Sequence, residues 1–360
     1  MMFVSNLTRI IDIMTTNKYE SFLNKFNEPD WLETLEKLLP AIHAVDRNAV
    51  QIWFRFYPLA LFRYLQNADD KAVAVQKFVM QGKYELKDQI DSSHEFLYGH
   101  RFWTTIKNEI VRRAESFDDG NADLTEEIKR IAKAAADQSK TTESLTIGIV
   151  AVGLMTLTQT GFDAFKNAPG AAKQPTGLMK KSPDQIVGNR AKDDSQGLLG
   201  FLKTINKEWT VRYDETAAGG KFKLMNDEEI ASGAARDQSQ NWLEKDARCG
   251  EGVIPVECRS AACGTCWIGI LEGAEKLSDV GVRERKQMKI FGYNQPDDAK
   301  PILRLACQAK ANGAVSIVIP PWNGVFGKKI YGNVEDVELE PATTSAAKLR
   351  ETIATATENN

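Results

Sequence analysis

The sequence predicts an α+β protein, with an all-α helical N-terminal domain over residues 1–166 and a mixed domain of strands and helices over 207–322. Three observations predict it. Apolar residues recur at helical spacing to about Lys140, the composition turns to proline, glycine and charge over 167–206, and from Lys207 the apolar period shortens to two. At 360 residues the chain is long enough for two cores, on a prior of about 150 residues per domain.

The start, "MMFVSNLTRIIDIMTTNKYESF", has no apolar run of signal-peptide length and no small-residue cleavage pattern, so it is expected as a first helix rather than a secretion signal. In "WLETLEKLLPAIHAV", Leu32, Leu35, Leu38, Leu39 and Ile42 share one face, with Asp30 as the expected cap and "NEPD" as the break before it. "FLYGHRFWTTIKNEIVRRA" repeats the rule through Phe96, Trp103, Ile106, Ile110 and Val111. The aromatic-rich stretch Ala49 to Leu65 reads as core, and Asn121 to Ala136 as a further amphipathic helix. Ser144 to Phe162 carries no charge and is about long enough to cross a bilayer. Its threonines, Gln159 and glycines weaken that reading, so it is predicted as a buried helix, with membrane association as the less favoured alternative.

Residues 167–206, with Pro169, Pro175 and Pro183 among glycines and charges, read as a linker. "EWTVRYD" and "GKFKLMN" around Gly219-Gly220 read as a hairpin, followed by one helix from about Asp227 to near Gly250. A cysteine-rich loop comes next, then the strand "WIGILEG", a helical stretch "DVGVRERKQMKIFG", and the strands "ILRLACQAK" and "AVSIVIP". Residues 323–360 are left as a C-terminal tail.

A formal net charge of -3 gives no basic field, which argues against nucleic acid as a partner. Five cysteines, all between Cys249 and Cys307, form a poor disulfide framework and a better metal cluster, which points to a reducing, cytoplasmic setting. No glycine-rich dinucleotide fingerprint or P-loop occurs, so no nucleotide cofactor is expected on this chain. No catalytic triad stands out either, and the chain is predicted not to be an enzyme by itself, leaving open that it is a subunit of an oxidoreductase complex. His43, His94 and His100 are the only histidines; without a CxxCH motif, and with His94 and His100 six apart, they make a poor haem site.

"ECRSAACGTC" places Cys258, Cys263 and Cys266 in the spacing C-x4-C-x2-C, and Cys307 follows after 40 residues. Zinc ribbons and fingers use two close pairs, which this three-plus-one grouping fits badly; it matches the plant-type [2Fe–2S] spacing instead. Such a cluster carries net negative charge, so backbone N–H groups must approach sulfur, and only small intervening residues allow that. Ser260, Ala261, Ala262, Gly264 and Thr265 are small, and Arg259 is placed to add positive charge. Cys249 is a spare thiol, expected as a small buried residue.

Together, "GVIPVECRSAACGTC", "RLACQ" and the closing strand "VSIVIPP" resemble a plant-type or bacterial [2Fe–2S] ferredoxin domain over about a third of the chain. The resemblance implies a β-grasp fold, iron ligands at Cys258, Cys263, Cys266 and Cys307, the first two on one iron and the last two on the other, and single-electron transfer. Redox partner proteins, a reductase and an acceptor, are implied with it; a redox-sensing or docking subunit of a larger electron-transfer complex is the alternative. The gap before Cys307 is longer than in photosynthetic ferredoxins, and the near balance of acidic and basic residues departs from their acidity.

Overall fold

A computed structural model describes residues 17–118, 122–193, 207–293 and 300–325, together with Gly327 and Ile330. The part of the expected first helix before Asn17, residues 194–206 of the expected linker and the tail from 331 onward lie outside the described residues. The chain divides into two compact units, neither of them one run of sequence. One joins the residues up to Phe54 to Glu85–Gln174, and the other joins Arg55–Tyr84 to everything from Pro175.

The first unit is helical and is built round Ile147–Thr160, every residue of which from Ile147 to Gln159 is buried. Gly148 and Gly153 allow close packing there: a Cβ would lie 2.6 Å from Val50 Cγ2 or 2.7 Å from Ile110 Cδ1. The Thr156, Thr158 and Thr160 hydroxyls donate to the carbonyls of Val152, Leu154 and Thr156, each at 2.8 Å, so these three hydroxyls are satisfied within the helix. At 14 residues this helix is roughly 21 Å long. Among the described residues no helix is long and apolar enough to cross a membrane.

Helices Glu28–Leu38, Trp103–Glu115 and Leu124–Ser139 pack around it. The first starts earlier than expected: Asn27, not Asp30, is the cap. Asp30 N–H donates to Asn27 Oδ1 at 3.0 Å, and the Asp30 carboxylate accepts from Asn27 N–H at 2.7 Å. Pro29 is tolerated because the first turn needs no donor from it. The stretch read as a break is the first turn itself.

The second unit carries a five-stranded mixed sheet of β1 (Glu208–Arg212), β2 (Lys221–Met225), β3 (Trp267–Glu272), β4 (Leu303–Leu305) and β5 (Val315–Val318). Its order is β2-β1-β5-β3-β4; β1 and β5 are parallel and the other pairs antiparallel, the mixed layout expected of a β-grasp domain. In the hairpin, Gly220 is required, because a Cβ there would come within 2.1 Å of the Asp214 carbonyl oxygen. The helix expected from Asp227 to Gly250 is two pieces, Ile230–Arg236 and Trp242–Lys245. Between them local bonds replace the helical ladder: Ser239 N–H donates to Asp237 Oδ1 at 3.1 Å and Trp242 Nε1–H to the Asp237 carbonyl at 2.6 Å.

Residues from the N-terminal half complete this unit. Gln81 and Gly82 pair with Asn323 and Trp322, and Trp322 Nε1–H donates to the Phe56 carbonyl at 2.7 Å. Within the stretch read as a linker, Pro183–Arg190 is a helix capped by Ser182. Arg190 closes a buried pair with Glu215 at 2.8 to 3.2 Å. Asp193 accepts from Lys276 Nζ at 2.7 Å.

Candidate metal centre

Strand pairing brings the distant cysteine to the loop. β3 and β4 run antiparallel with Trp267 opposite Leu305, and Ala306 N–H donates to the Cys266 carbonyl at 2.9 Å. Cys266, just before β3, and Cys307, just after β4, therefore lie side by side across 40 intervening residues, near enough for each thiol to shift the other's pKa. Cys258 and Cys263 form a second neighbouring pair, held within the loop by the bond from Cys263 N–H to Cys258 Sγ.

The loop backbone turns inward through left-handed residues, Arg259 (φ 52°), Ala261 (φ 61°) and Gly264 (φ 67°). Successive turns of this kind aim amides at a common centre. Ala262 N–H and Cys263 N–H each donate to Cys258 Sγ at 3.3 Å. Thr265 Oγ1 accepts from Glu257 N–H at 3.2 Å and lies 3.2 Å from Cys263 Sγ, leaving its own hydrogen for that sulfur. Gln308 Nε2 is 3.4 Å from Cys307 Sγ.

A Cβ on Gly264 would fall 1.9 Å from Phe291 Cζ, so the loop passes over this ring only with glycine there. Arg259 does not offer the free positive charge expected of it. Its guanidinium is paired with Glu251 at 2.5 Å and donates to Ser232 Oγ at 3.1 Å.

Within each thiol pair the two groups shift in opposite directions. Contact with Cys263 pushes Cys258 down to about 4, and the same contact pushes Cys263 up. Cys307 is lowered and Cys266 raised by their closeness to one another. Cys266 and Cys307 are each 2% exposed and Cys258 8%, while Cys263 is half-buried, so the Cys263 side of the loop faces outward.

Among the described residues no three His, Cys, Asp or Glu side chains converge as a single metal ion requires. A two-iron cluster needs two thiolates at each end, donors on the sulfurs and no bulky side chain between them. Two neighbouring thiol pairs, one within a loop of inward amides and one across paired strands, fit that group.

Cys249 is separate. Its Sγ–H donates to the Val253 carbonyl at 3.2 Å, and burial pushes its thiol up to about 12, as suits a packing residue. His94 and His100 meet through their Nδ1 atoms at 2.9 Å in the helical unit. His94 Nε2 bonds the Ile90 carbonyl at 3.2 Å, and His100 Nε2 accepts from Lys173 N–H at 2.9 Å, so all four ring nitrogens have protein partners.

These features define the class, an iron–sulfur domain of ferredoxin type in the C-terminal third. The family comparison agrees: residues 233–312 match the model of the 2Fe-2S iron-sulfur cluster binding domain, and [2Fe–2S] is the cofactor of this part of the chain. The N-terminal region is unrecognised, and no solved structure matches the chain.

Sequence reasoning missed three contributors on the helix Val282–Phe291: Glu284, Gln287 and Phe291. Their i, i+3, i+7 spacing marks one helical face, but nothing local shows that this face meets the cysteine loop.

Proposed function

We propose that this chain is a one-electron transfer protein, with a ferredoxin-type domain over 207–322, a helical domain over 1–166 and a connecting segment over 167–206. Cys258 and Cys263 bind one iron and Cys266 and Cys307 the other. The observation that carries this reading is the arrangement of four thiols as two neighbouring pairs, Cys258 with Cys263 in the loop and Cys266 with Cys307 across paired strands, inside the segment that matches the family. When bound, the cluster supplies a single-electron couple at low potential. The chain's own part is to hold the sulfurs, to offset their charge with amide N–H groups and the Thr265 hydroxyl, and to keep the Cys266 and Cys307 side dry. A reductase and an acceptor protein in the cytoplasm supply and take the electron.

The test is direct. Anaerobically reconstituted protein is expected to hold equal iron and sulfide, with a visible absorption that bleaches on dithionite and returns on reoxidation, and to pass electrons from a ferredoxin reductase to cytochrome c. Serine at any one of the four cysteines should lower retained iron and alter that spectrum. Protein that takes up zinc and stays colourless would sink the reading.

A second reading, a docking or sensing subunit of a larger electron-transfer complex, is favoured by one observation. Gln81 and Gly82 pair with Asn323 and Trp322, so the cluster-bearing unit draws on the N-terminal half, which a free shuttle does not require. A sensor would change partner affinity on reduction and turn over poorly with cytochrome c.

A further inference from the structure

The two thiol pairs are held by different means. Strand pairing and the Ala306 to Cys266 backbone bond register Cys266 against Cys307. Cys258 and Cys263 lie in a loop without such a ladder, so something outside the loop must orient its peptides. The helix Val282–Phe291 provides it. Glu284, Gln287 and Phe291 are all buried on one face. Glu284 accepts from Arg304 Nε at 2.8 Å and from Leu305 N–H at 2.8 Å, which fixes the strand that leads into Cys307. One turn on, Gln287 Nε2 donates to the Ala262 carbonyl at 3.0 Å. Phe291 then lies beneath Gly264.

The Gln287 contact has a geometric consequence. The Ala262 carbonyl belongs to the peptide whose N–H is that of Cys263, and in a planar trans peptide the two groups point in opposite directions. Holding the carbonyl toward the helix aims the N–H the other way, and that N–H lies 3.3 Å from Cys258 Sγ. We propose that Gln287 is a positioning residue for the cluster: by anchoring the Ala262 carbonyl it directs the Cys263 amide onto the Cys258 sulfur and sets how much negative charge that sulfur retains. The inference rests on Cys258 being a ligand. It assigns a role in setting potential and cluster retention to a side chain that touches no cysteine sulfur.

The full chain, loaded with iron and sulfide, is the material for the test. Gln287→Met keeps the length of the side chain and removes its N–H. With one amide released from sulfur, the reduced state loses stabilisation, so the midpoint potential should move to more negative values. Iron release to a chelator should be about tenfold faster, the scale of one hydrogen bond to a charged group. The helical circular dichroism and its melting should stay near wild type. Gln287→His, which offers a ring N–H at similar reach, is the rescue and should return both readings toward wild type.

A loaded Gln287→Met protein with wild-type potential and release rate overturns the proposal. Where the Met variant loads too little iron for voltammetry, recovery of loading in the His variant supports it, and equal failure of both overturns it. Failure of the unsubstituted protein to bind iron and sulfide would overturn the ligand assignment itself, a separate result because it appears without any substitution.

Discussion

Gly264 has little freedom in the cysteine loop. Its φ of 67° lies in the left-handed region, and its missing Cβ is the space that the Phe291 ring fills. The ring cannot simply swing away, because it packs against Trp267 at 5.4 Å and Tyr293 at 6.1 Å between centroids. Gly264→Ala therefore combines backbone strain with overpacking, each on the order of 1–3 kcal/mol. The expected outcome is a chain that folds with a lower melting temperature and retains much less iron after desalting. Iron retention equal to wild type would show that the loop can take another path. The small residues around the thiols were legible in the sequence as a requirement of the chemistry. That Gly264 answers to a particular ring was not, since Phe291 lies 27 positions away.

The helix Val282–Phe291 shows how an element can be foreseen and its task missed. The Glu284 and Arg304 side chains are both fully buried, joined at 2.8 and 2.9 Å, with Arg304 also donating to the Ser278 carbonyl at 2.8 Å. Removing one partner strands a buried charge. Glu284→Met is expected to cost about 3–5 kcal/mol in chemical denaturation, whereas the double replacement with Arg304→Met should cost less than the single one. A double replacement as damaging as the single one would show that the pair's value is attraction rather than mutual neutralisation. The break at 237–241 has a similar lesson. Asp, Ser, Gln and Asn in that stretch are compatible with a helix on pattern alone, but their side chains and Trp242 find nearer backbone partners.

At the scale of the whole molecule, each unit has its own sensitivity to conditions. In the helical unit, burial lowers His94 well below the ordinary histidine range, and lowers His100 as well, with Asp91, Glu95 and Lys173 the charged groups near His100. Both rings are thus neutral in the fold at neutral pH. The unfolded chain takes up protons as pH falls through about 6.5, while the folded unit does not until a lower pH. Stability is therefore undiminished above that range and falls as pH drops below it, by up to about 1.4 kcal/mol per pH unit for each histidine. Melting followed by circular dichroism from pH 7.5 to 5.5 should show the decline, and a flat profile would contradict the buried neutral pair.

The sequence by itself determined what depends on neighbours along the chain: the helical and alternating periods, the hairpin, the buried character of Ser144 to Phe162, and the spacing of Cys258, Cys263 and Cys266 that resembles a [2Fe–2S] loop. Those follow from sterics and burial over a few residues. Only the tertiary structure decided how Cys307 is carried to the loop, that Arg55–Tyr84 folds with the cluster-bearing unit, and that Gln287 turns a peptide toward Cys258. Each of these depends on strand register or side-chain reach across tens of residues, and a local pattern carries no record of what will stand opposite it once the chain has folded.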